Sequence, residues 1–587
     1  MRRFMGRPGA PGIARGSVFV YDPDLPAATA RQDDPRDAET ELARLDAAVE
    51  KAEQEILDAR KHVLEELGED HARIFDAHRL IMKDETLLGQ ARQYIREGWS
   101  AETAFGGACQ NIVRAFQNLN GDQPDRTGDL RDVQRRVTGH LRGRQISGLG
   151  DLRSPVIVVA RELSPSDTAS MPRDKVLGFI TERGGETSHS VILGRSLGIP
   201  VVVGAEGLLT QVQSGDVLLL DGHTGQIVLN PDAKTRSEFE NLRSAYAALE
   251  AESLRFKDHP AETRDGRKIE LLANIELPEE VEAVLSHGAA GVGLFRTEYL
   301  FLTRPDFPGE EDQYLAYRGI LRSVAPDPVI IRTMDLGGEK VAPYMEFPRE
   351  DNPSLGWRGV RYALDLEEVF RTQVRAILRA SVYGGLRLMV PMITQVEEIR
   401  RVKAIIEAEK GELIARGQAF RDDVPVGVMV ETPSAVVIAH LLAKEVDFFS
   451  IGTNDLIQYS LAVDRDNRKV QGLYDPFHPA ILRQIKRTVK AAKQQGIWVG
   501  ICGELPEDPL FVILLIGLGL DEISVNPFRV PEIKRLIRSI TFDQARSLVG
   551  SAWRYATGAE IRRAVGRQAA RKFPEIADLL VREGDAP

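Results

Sequence analysis

The C-terminal half of this 587-residue chain carries eight short apolar, strand-like segments, each followed by a helical pattern. They begin near Ile269, Gly291, Val329, Leu386, Val426, Phe448, Trp498 and Glu522. Strands that alternate with helices pair in parallel, because the crossover helix returns the chain to the same end of the sheet. Eight such units over about 300 residues predict a (β/α)8 TIM-type barrel. The long interval between the third and fourth segments predicts an inserted helical excursion.

The N-terminal half reads differently. The run PGIARGSVFVY (11–21) is a turn followed by a strand, and short apolar runs recur at 155–160, 176–180, 200–203 and 217–221. They predict a small α/β domain. It is interrupted by a segment whose first stretch, Asp33 to Asp70, holds fourteen acidic residues against five Lys or Arg. Leu42, Leu45, Val49, Ala52, Ile56 and Val63 lie three, four or seven apart, one apolar stripe on a long helix. The expected fold is therefore multidomain α/β: a small α/β domain with an all-helical insert, then the barrel. The expected boundaries are 1–30 plus 146–230 for the α/β domain and 31–145 for the insert. A connector helix follows over 231–260, the barrel over 261–575 and a tail over 576–587.

Such a length exceeds what one hydrophobic core organises. A net charge of −11 argues against general nucleic-acid binding. The N-terminus has no apolar stretch of the kind a secretory signal needs, and the longest apolar run, Leu510 to Leu520, is too short to span a bilayer. With Cys109 and Cys502 as its two cysteines the chain has no disulfide framework, and a reducing cytoplasm is the expected compartment.

Functional residues of such barrels gather at the C-terminal ends of strands. Here those ends read Phe295-Arg296, Ile331-Arg332, Val430-Glu431, Thr453-Asn454-Asp455 and Ile501-Cys502. Arg296 and Arg332 offer planar forks for phosphate or carboxylate, and Arg358 and Arg465 add cations from nearby loops. Glu431 and Asp455 are hard oxygen ligands, and two carboxylates plus substrate oxygens is a common way to hold Mg2+ at a phosphate site. Asp455 also has the position of an N-cap before Leu456. Cys502 is either a small buried apolar residue or a thiol acid.

The run GGETSHSVILGRSLGIP (184–200) places His189 just after Thr187 and Ser188, which can cap a helix that ends before Gly198. The free N–H groups of a helix start favour an anion, and a neutral imidazole nitrogen can attack phosphorus.

Together with GLFRTEYLF (293–301), RTMDLGGEK (332–340), NPSLGWRGVR (352–361), VMVETPSA (428–435), SIGTNDLIQY (450–459) and GICGE (500–504), this run resembles Enzyme I of the bacterial phosphoenolpyruvate:sugar phosphotransferase system. The likeness covers nearly the whole chain. It implies that His189 becomes phosphorylated by phosphoenolpyruvate, and that Arg296, Arg332, Arg358, Arg465, Asn454 and Asp455 form the donor site. It implies Mg2+ on Glu431 and Asp455, with Cys502 protonating the enolate to pyruvate. It further implies docking of the phosphocarrier protein HPr on the helical insert and a homodimer through the barrel. The acidic helices suit a basic carrier and equally suit a solvated surface. A pyruvate phosphate dikinase would need a large ATP-binding domain, for which residues 1–150 have neither the length nor the strand pattern. Two departures stand out: related enzymes often have Arg where this chain has Glu186, and Ala where it has Gly194.

Overall fold

The computed structural model describes residues 1–21, 37–67, 75, 78–120, 128–141, 149, 152–163, 171–184, 191, 194 and 198–580, apart from 303, 305, 339, 343, 346, 349, 466 and 468. The chain divides into two compact units, Met1–Tyr246 and Ala247–Pro587.

The first unit holds an eight-stranded sheet and a helical bundle. The strands are β1 (Arg2–Met5), β2 (Arg7–Ala10), β3 (Ile13–Tyr21), β4 (Val156–Ala160), β5 (Val176–Thr181), β6 (Val201–Val203), β7 (Val217–Asp221) and β8 (Gln226–Leu229), in the order β1-β8-β7-β3-β4-β5-β6-β2. β1 and β2 are separated by Gly6 alone, yet they form opposite edges of the sheet, on β8 and β6. The sheet therefore curls until its edges meet at Gly6. A Cβ there would lie 2.4 Å from Val202 Cγ1 and 2.7 Å from the Val203 carbonyl oxygen, so only glycine fits this close approach. β4 is buried on both faces: Val156, Val158 and Ala160 join one apolar cluster, Ile157 and Val159 another. That double burial explains its unbroken apolar sequence. β1, β2 and β8 were not foreseen, because four-residue segments such as RRFM and RPGA carry no period-two pattern.

Helices Ala38–Leu67, Glu85–Arg96, Ala101–Asn120 and Gly128–Leu141 occupy the expected helical segment. Leu45, Ala52 and Ile56 of the predicted stripe are fully buried against Leu87, Ala91, Phe105 and Val133. Helix Ala233–Leu254 occupies the expected connector.

The second unit is the expected barrel. Its strands are β9 (Glu270–Ile275), β10 (Val292–Arg296), β11 (Pro328–Arg332), β12 (Gly385–Val390), β13 (Val426–Val430), β14 (Phe448–Gly452), β15 (Trp498–Cys502) and β16 (Glu522–Val525), and every paired neighbour is parallel. The ring closes between β16 and β15 through Asp521, whose N–H donates to the Val499 carbonyl at 2.9 Å and whose Oδ2 accepts from the Val499 N–H at 3.0 Å. Leu272, Leu294, Ile330, Met389, Met429, Phe448 and Cys502, one from each of seven strands, form a separate apolar cluster inside the ring. The expected excursion lies between β11 and β12 and includes helices Val360–Asp365 and Glu367–Ala380.

Candidate active site at the C-terminal end of the barrel

Arg296 and Arg332 are the last residues of adjacent strands β10 and β11, directly opposite each other in the ladder. Arg332 is buried, with Nη2 3.0 Å from Glu298 Oε1 and Nη1 3.4 Å from Asp335 Oδ2. Its Nε has no hydrogen-bond partner among the described residues, and Nη2 has the ion-pair contact with Glu298. Burial opposes the charge, but Glu298, Asp335 and Glu431 outweigh it and keep the guanidinium protonated. A buried cationic donor without a partner is costly unless an anion arrives to accept from it. Arg296 pairs with Glu276.

Arg358 is 1% exposed. Its Nε and Nη2 donate to the two oxygens of Asp335, and its Nη1 and Nη2 donate to the two oxygens of Asp455, all at 3.0 Å. Lys340 Nζ reaches Asp335 Oδ2 at 2.6 Å. Burial works against the Asp335 charge, yet Arg358, Lys340 and Arg332 hold its carboxyl well below the usual range. Tyr459 supports the array, accepting from Arg358 Nη1 at 3.2 Å.

Asp455 sits in the first turn of helix Thr453–Leu461, whose N-cap is Gly452. The N-cap role expected for Asp455 is therefore corrected: its carboxylate faces Arg358 instead of capping. Arg358 and Arg465 outweigh its burial and lower its pKa, which places the Arg465 charge within electrostatic reach. Glu431 follows β13 and is buried, its Oε1 accepting the Met392 N–H at 2.6 Å. Burial, then the charges of Asp455 and Asp335, push Glu431 up to about 8. Gly452 leaves room for this carboxylate: a Cβ there would stand 2.7 Å from Glu431 Oε2. Asn454 Nδ2 donates to Glu504 Oε1 at 3.3 Å.

Cys502 ends β15 at 1% exposure, accepting from Ser450 Oγ at 3.4 Å. Burial pushes its thiol up to about 11 against the opposing effects of Ser450 and Arg332, so at neutral pH the thiol is protonated. Both readings of Cys502 stand, since the residue is buried and carries a proton at neutral pH.

Among the described residues no group of three or more His, Cys, Asp or Glu side chains is arranged to hold a metal ion. The Glu431–Asp455 pair nevertheless suits Mg2+, which commonly takes one or two carboxylates with substrate phosphate oxygens and water. Besides burial, the charge of Asp455 raises Glu431, and a divalent cation held by both carboxylates would relieve that repulsion.

Thus Arg296, Arg332, Arg358, Glu431, Asn454, Asp455 and Cys502 all lie at the C-terminal ends of strands or in the loops and helix starts that follow them. His189, with Glu186 and the expected helix cap, lies outside the described residues; Gly198, at φ +66, has the left-handed backbone expected of a residue closing a helix. Glu298, Asp335, Lys340, Met392 and Tyr459 were not singled out from sequence. Their signal was present, because each lies two to eight residues beyond a strand end, but charged loop residues are common and their partners are distant in the chain.

A parallel barrel whose C-terminal mouth offers buried guanidinium donors, a carboxylate pair and a thiol acid defines an enzyme that handles a phosphorylated carboxylic acid. Three family models match the chain: PEP-utilising enzyme, N-terminal, over residues 5–124; PEP-utilising enzyme, mobile domain, over 152–225; and PEP-utilising enzyme, PEP-binding domain, over 250–542. The chain is 42% identical to phosphoenolpyruvate-protein phosphotransferase of Geobacillus stearothermophilus, over 94% of this chain and 96% of that one. It is also 42% identical to the proteins of that name from Bacillus subtilis, over 93% and 96%, and Haemophilus influenzae, over 94% and 96%. The chain belongs to the phosphoenolpyruvate-protein phosphotransferase family.

Proposed function

We propose that the chain takes the phosphoryl group of phosphoenolpyruvate onto His189, releases pyruvate, and passes the group to a histidine of the phosphocarrier protein HPr, the first step of phosphotransferase-system sugar uptake. The observation that carries this reading is the buried Arg332 guanidinium, whose Nε has no hydrogen-bond partner among the described residues, next to the buried Arg358 and the half-buried Lys340. Phosphoryl transfer depends on placement and charge neutralisation more than on covalent assistance.

In this reading Arg296, Arg332, Arg358 and Arg465 hold the phosphate and carboxylate of the donor, and Asn454 and Asp455 fix its orientation. Glu431 and Asp455 would hold Mg2+, which when bound neutralises charge on the phosphate and on the enolate oxygen. Cys502 gives its proton to the methylene carbon of enolpyruvate. Residues 1–30 and 146–230 carry His189, residues 31–145 receive HPr, and 231–260 link them to the barrel over 261–575, through which two copies pair. The site of action is the cytoplasm, in keeping with the absence, among the described residues, of a helix long and apolar enough to cross a membrane.

The test is incubation with phosphoenolpyruvate labelled at phosphorus, in Mg2+, of the wild-type chain and His189→Ala. Acid-labile label on wild type alone, with one pyruvate released per label, supports the reading. Unlabelled wild type with donor binding intact would sink it.

A further inference from the structure

We propose that Ser450 is the positioning residue for proton delivery, orienting the Cys502 thiol toward the enolpyruvate carbon and stabilising the thiolate that remains. The inference rests on the reading of Cys502 as proton donor.

Ser450 and Cys502 lie on adjacent strands inside the ring, where β14 and β15 run in register, Ser450 opposite Gly500 and Gly452 opposite Cys502. Ser450 is fully buried among the apolar side chains of the barrel. A serine hydroxyl there is costly unless it is hydrogen-bonded. The bond it makes runs to sulfur: Oγ donates to Cys502 Sγ at 3.4 Å. The thiol has one proton, which points at rest to the Ile451 carbonyl oxygen, with Sγ to O at 3.8 Å. The sulfur is thus held from two sides, accepting from Ser450 and donating weakly to a backbone carbonyl that a short rotation of the S–H bond releases.

The step balances as follows. The enolate oxygen regains its carbonyl double bond, and the former C=C electron pair takes the proton from Cys502 Sγ. The S–H bond breaks, a C–H bond of the pyruvate methyl group forms, and a thiolate remains. That thiolate accepts a stronger hydrogen bond from Ser450 than the neutral thiol does, so the interaction grows along the reaction. It then recovers a proton from water. No other side-chain hydrogen bond reaches Sγ among the described residues, and Ser450→Ala leaves the thiolate to the charges of Arg332 and Arg296. A sulfur fixed in direction delivers its proton to one face of the planar enolate; a freely turning one loses that selectivity.

The test compares wild type, Ser450→Ala, Ser450→Thr and Cys502→Ala in single turnovers without carrier. Phosphoenolpyruvate stereospecifically labelled at its methylene carbon is used in deuterated water, and phosphoprotein, pyruvate and methyl-group chirality are read together. Ser450→Ala is expected to form phosphoprotein as wild type does, to make pyruvate about tenfold more slowly, and to yield partly racemised methyl groups. Ser450→Thr, which keeps the hydroxyl, is expected to restore both, and it carries the test if the alanine variant fails to fold. Wild-type rate and chirality in Ser450→Ala, with Cys502→Ala slow, would overturn the role of Ser450 while leaving that of Cys502. Wild-type rate and chirality in Cys502→Ala would overturn the proton-donor reading and this inference with it.

Discussion

Arg358 grips Asp335 through two parallel hydrogen bonds, Nε to Oδ1 and Nη2 to Oδ2, both at 3.0 Å and both out of contact with water. The same guanidinium grips Asp455 from its other side. This chain of carboxylate, guanidinium and carboxylate joins the loop after β11 to the helix after β14, so this part of the candidate site is set before a ligand arrives.

Removing one member of a buried ion array leaves the others uncompensated. Asp335→Asn is expected to lower barrel stability by about 3 kcal/mol in denaturant unfolding and to reduce activity more than a hundredfold. Arg358→Lys should behave similarly, because an ammonium group cannot present the planar fork to two carboxylates. Near-normal activity in either variant would show that the array only fills space.

Gly452→Ala tests the space allotted to Glu431. The new Cβ meets Glu431 Oε2 at 2.7 Å and Met429 Cγ at 2.9 Å, so the carboxylate must move. The expected result is a rise of tenfold or more in the Mg2+ concentration needed for half-maximal activity, measured by metal titration. An unchanged metal requirement would separate Glu431 from metal binding.

At the opposite end of the barrel, Glu522 opens β16 with its side chain fully buried. Its Oε2 accepts from Trp498 Nε1 at 3.2 Å and lies 3.9 Å from Arg387 Nη1, while Oε1 has no partner among the described residues. Burial, then the charge of Glu270, raise it from its usual 4.5 to about 8. A carboxyl whose folded pKa is raised contributes fully below pH 4.5 and loses that contribution as pH rises through about 8. Glu522→Gln should therefore gain stability relative to wild type between pH 5 and pH 9, by on the order of a few kcal/mol. A constant difference across that range would contradict the buried, proton-holding carboxyl.

Gly194 is explained by packing. A Cβ at this position would stand 2.1 Å from Val201 Cγ2 and 3.1 Å from the Ile199 carbonyl oxygen. Gly194→Ala is expected to destabilise the N-terminal unit by about 1–3 kcal/mol in thermal unfolding, and Val201→Ala in the same chain to recover part of the loss.

The barrel was legible because its signals are local. Each of the eight segments is a short apolar run bounded by turn residues, and the residue that ends each run stands at the functional face whatever lies elsewhere. Arg296, Arg332, Glu431 and Cys502 were found in this way. Asp335 and Lys340 lie in a quoted motif, yet nothing near them in the chain says that Arg358 and Asp455 are their neighbours. The first-unit sheet was half legible for the same reason: β4 is apolar throughout and β5 nearly so, whereas β1 and β2 owe their strand form to partners about 200 residues away.

The sequence by itself determined the class of each segment, the eightfold alternation of strand and helix, and the chemistry gathered at the strand ends. These follow from hydrophobic period, turn residues and side-chain type, which act over a few residues. Only the tertiary structure decided that Gly452 and not Asp455 caps its helix, that Asp335 collects three cations, that Met392 turns its N–H to Glu431, and that Ser450 bonds to Cys502. Those relations join residues that separate strands and loops bring together, and their energies exist only once water is excluded from between them.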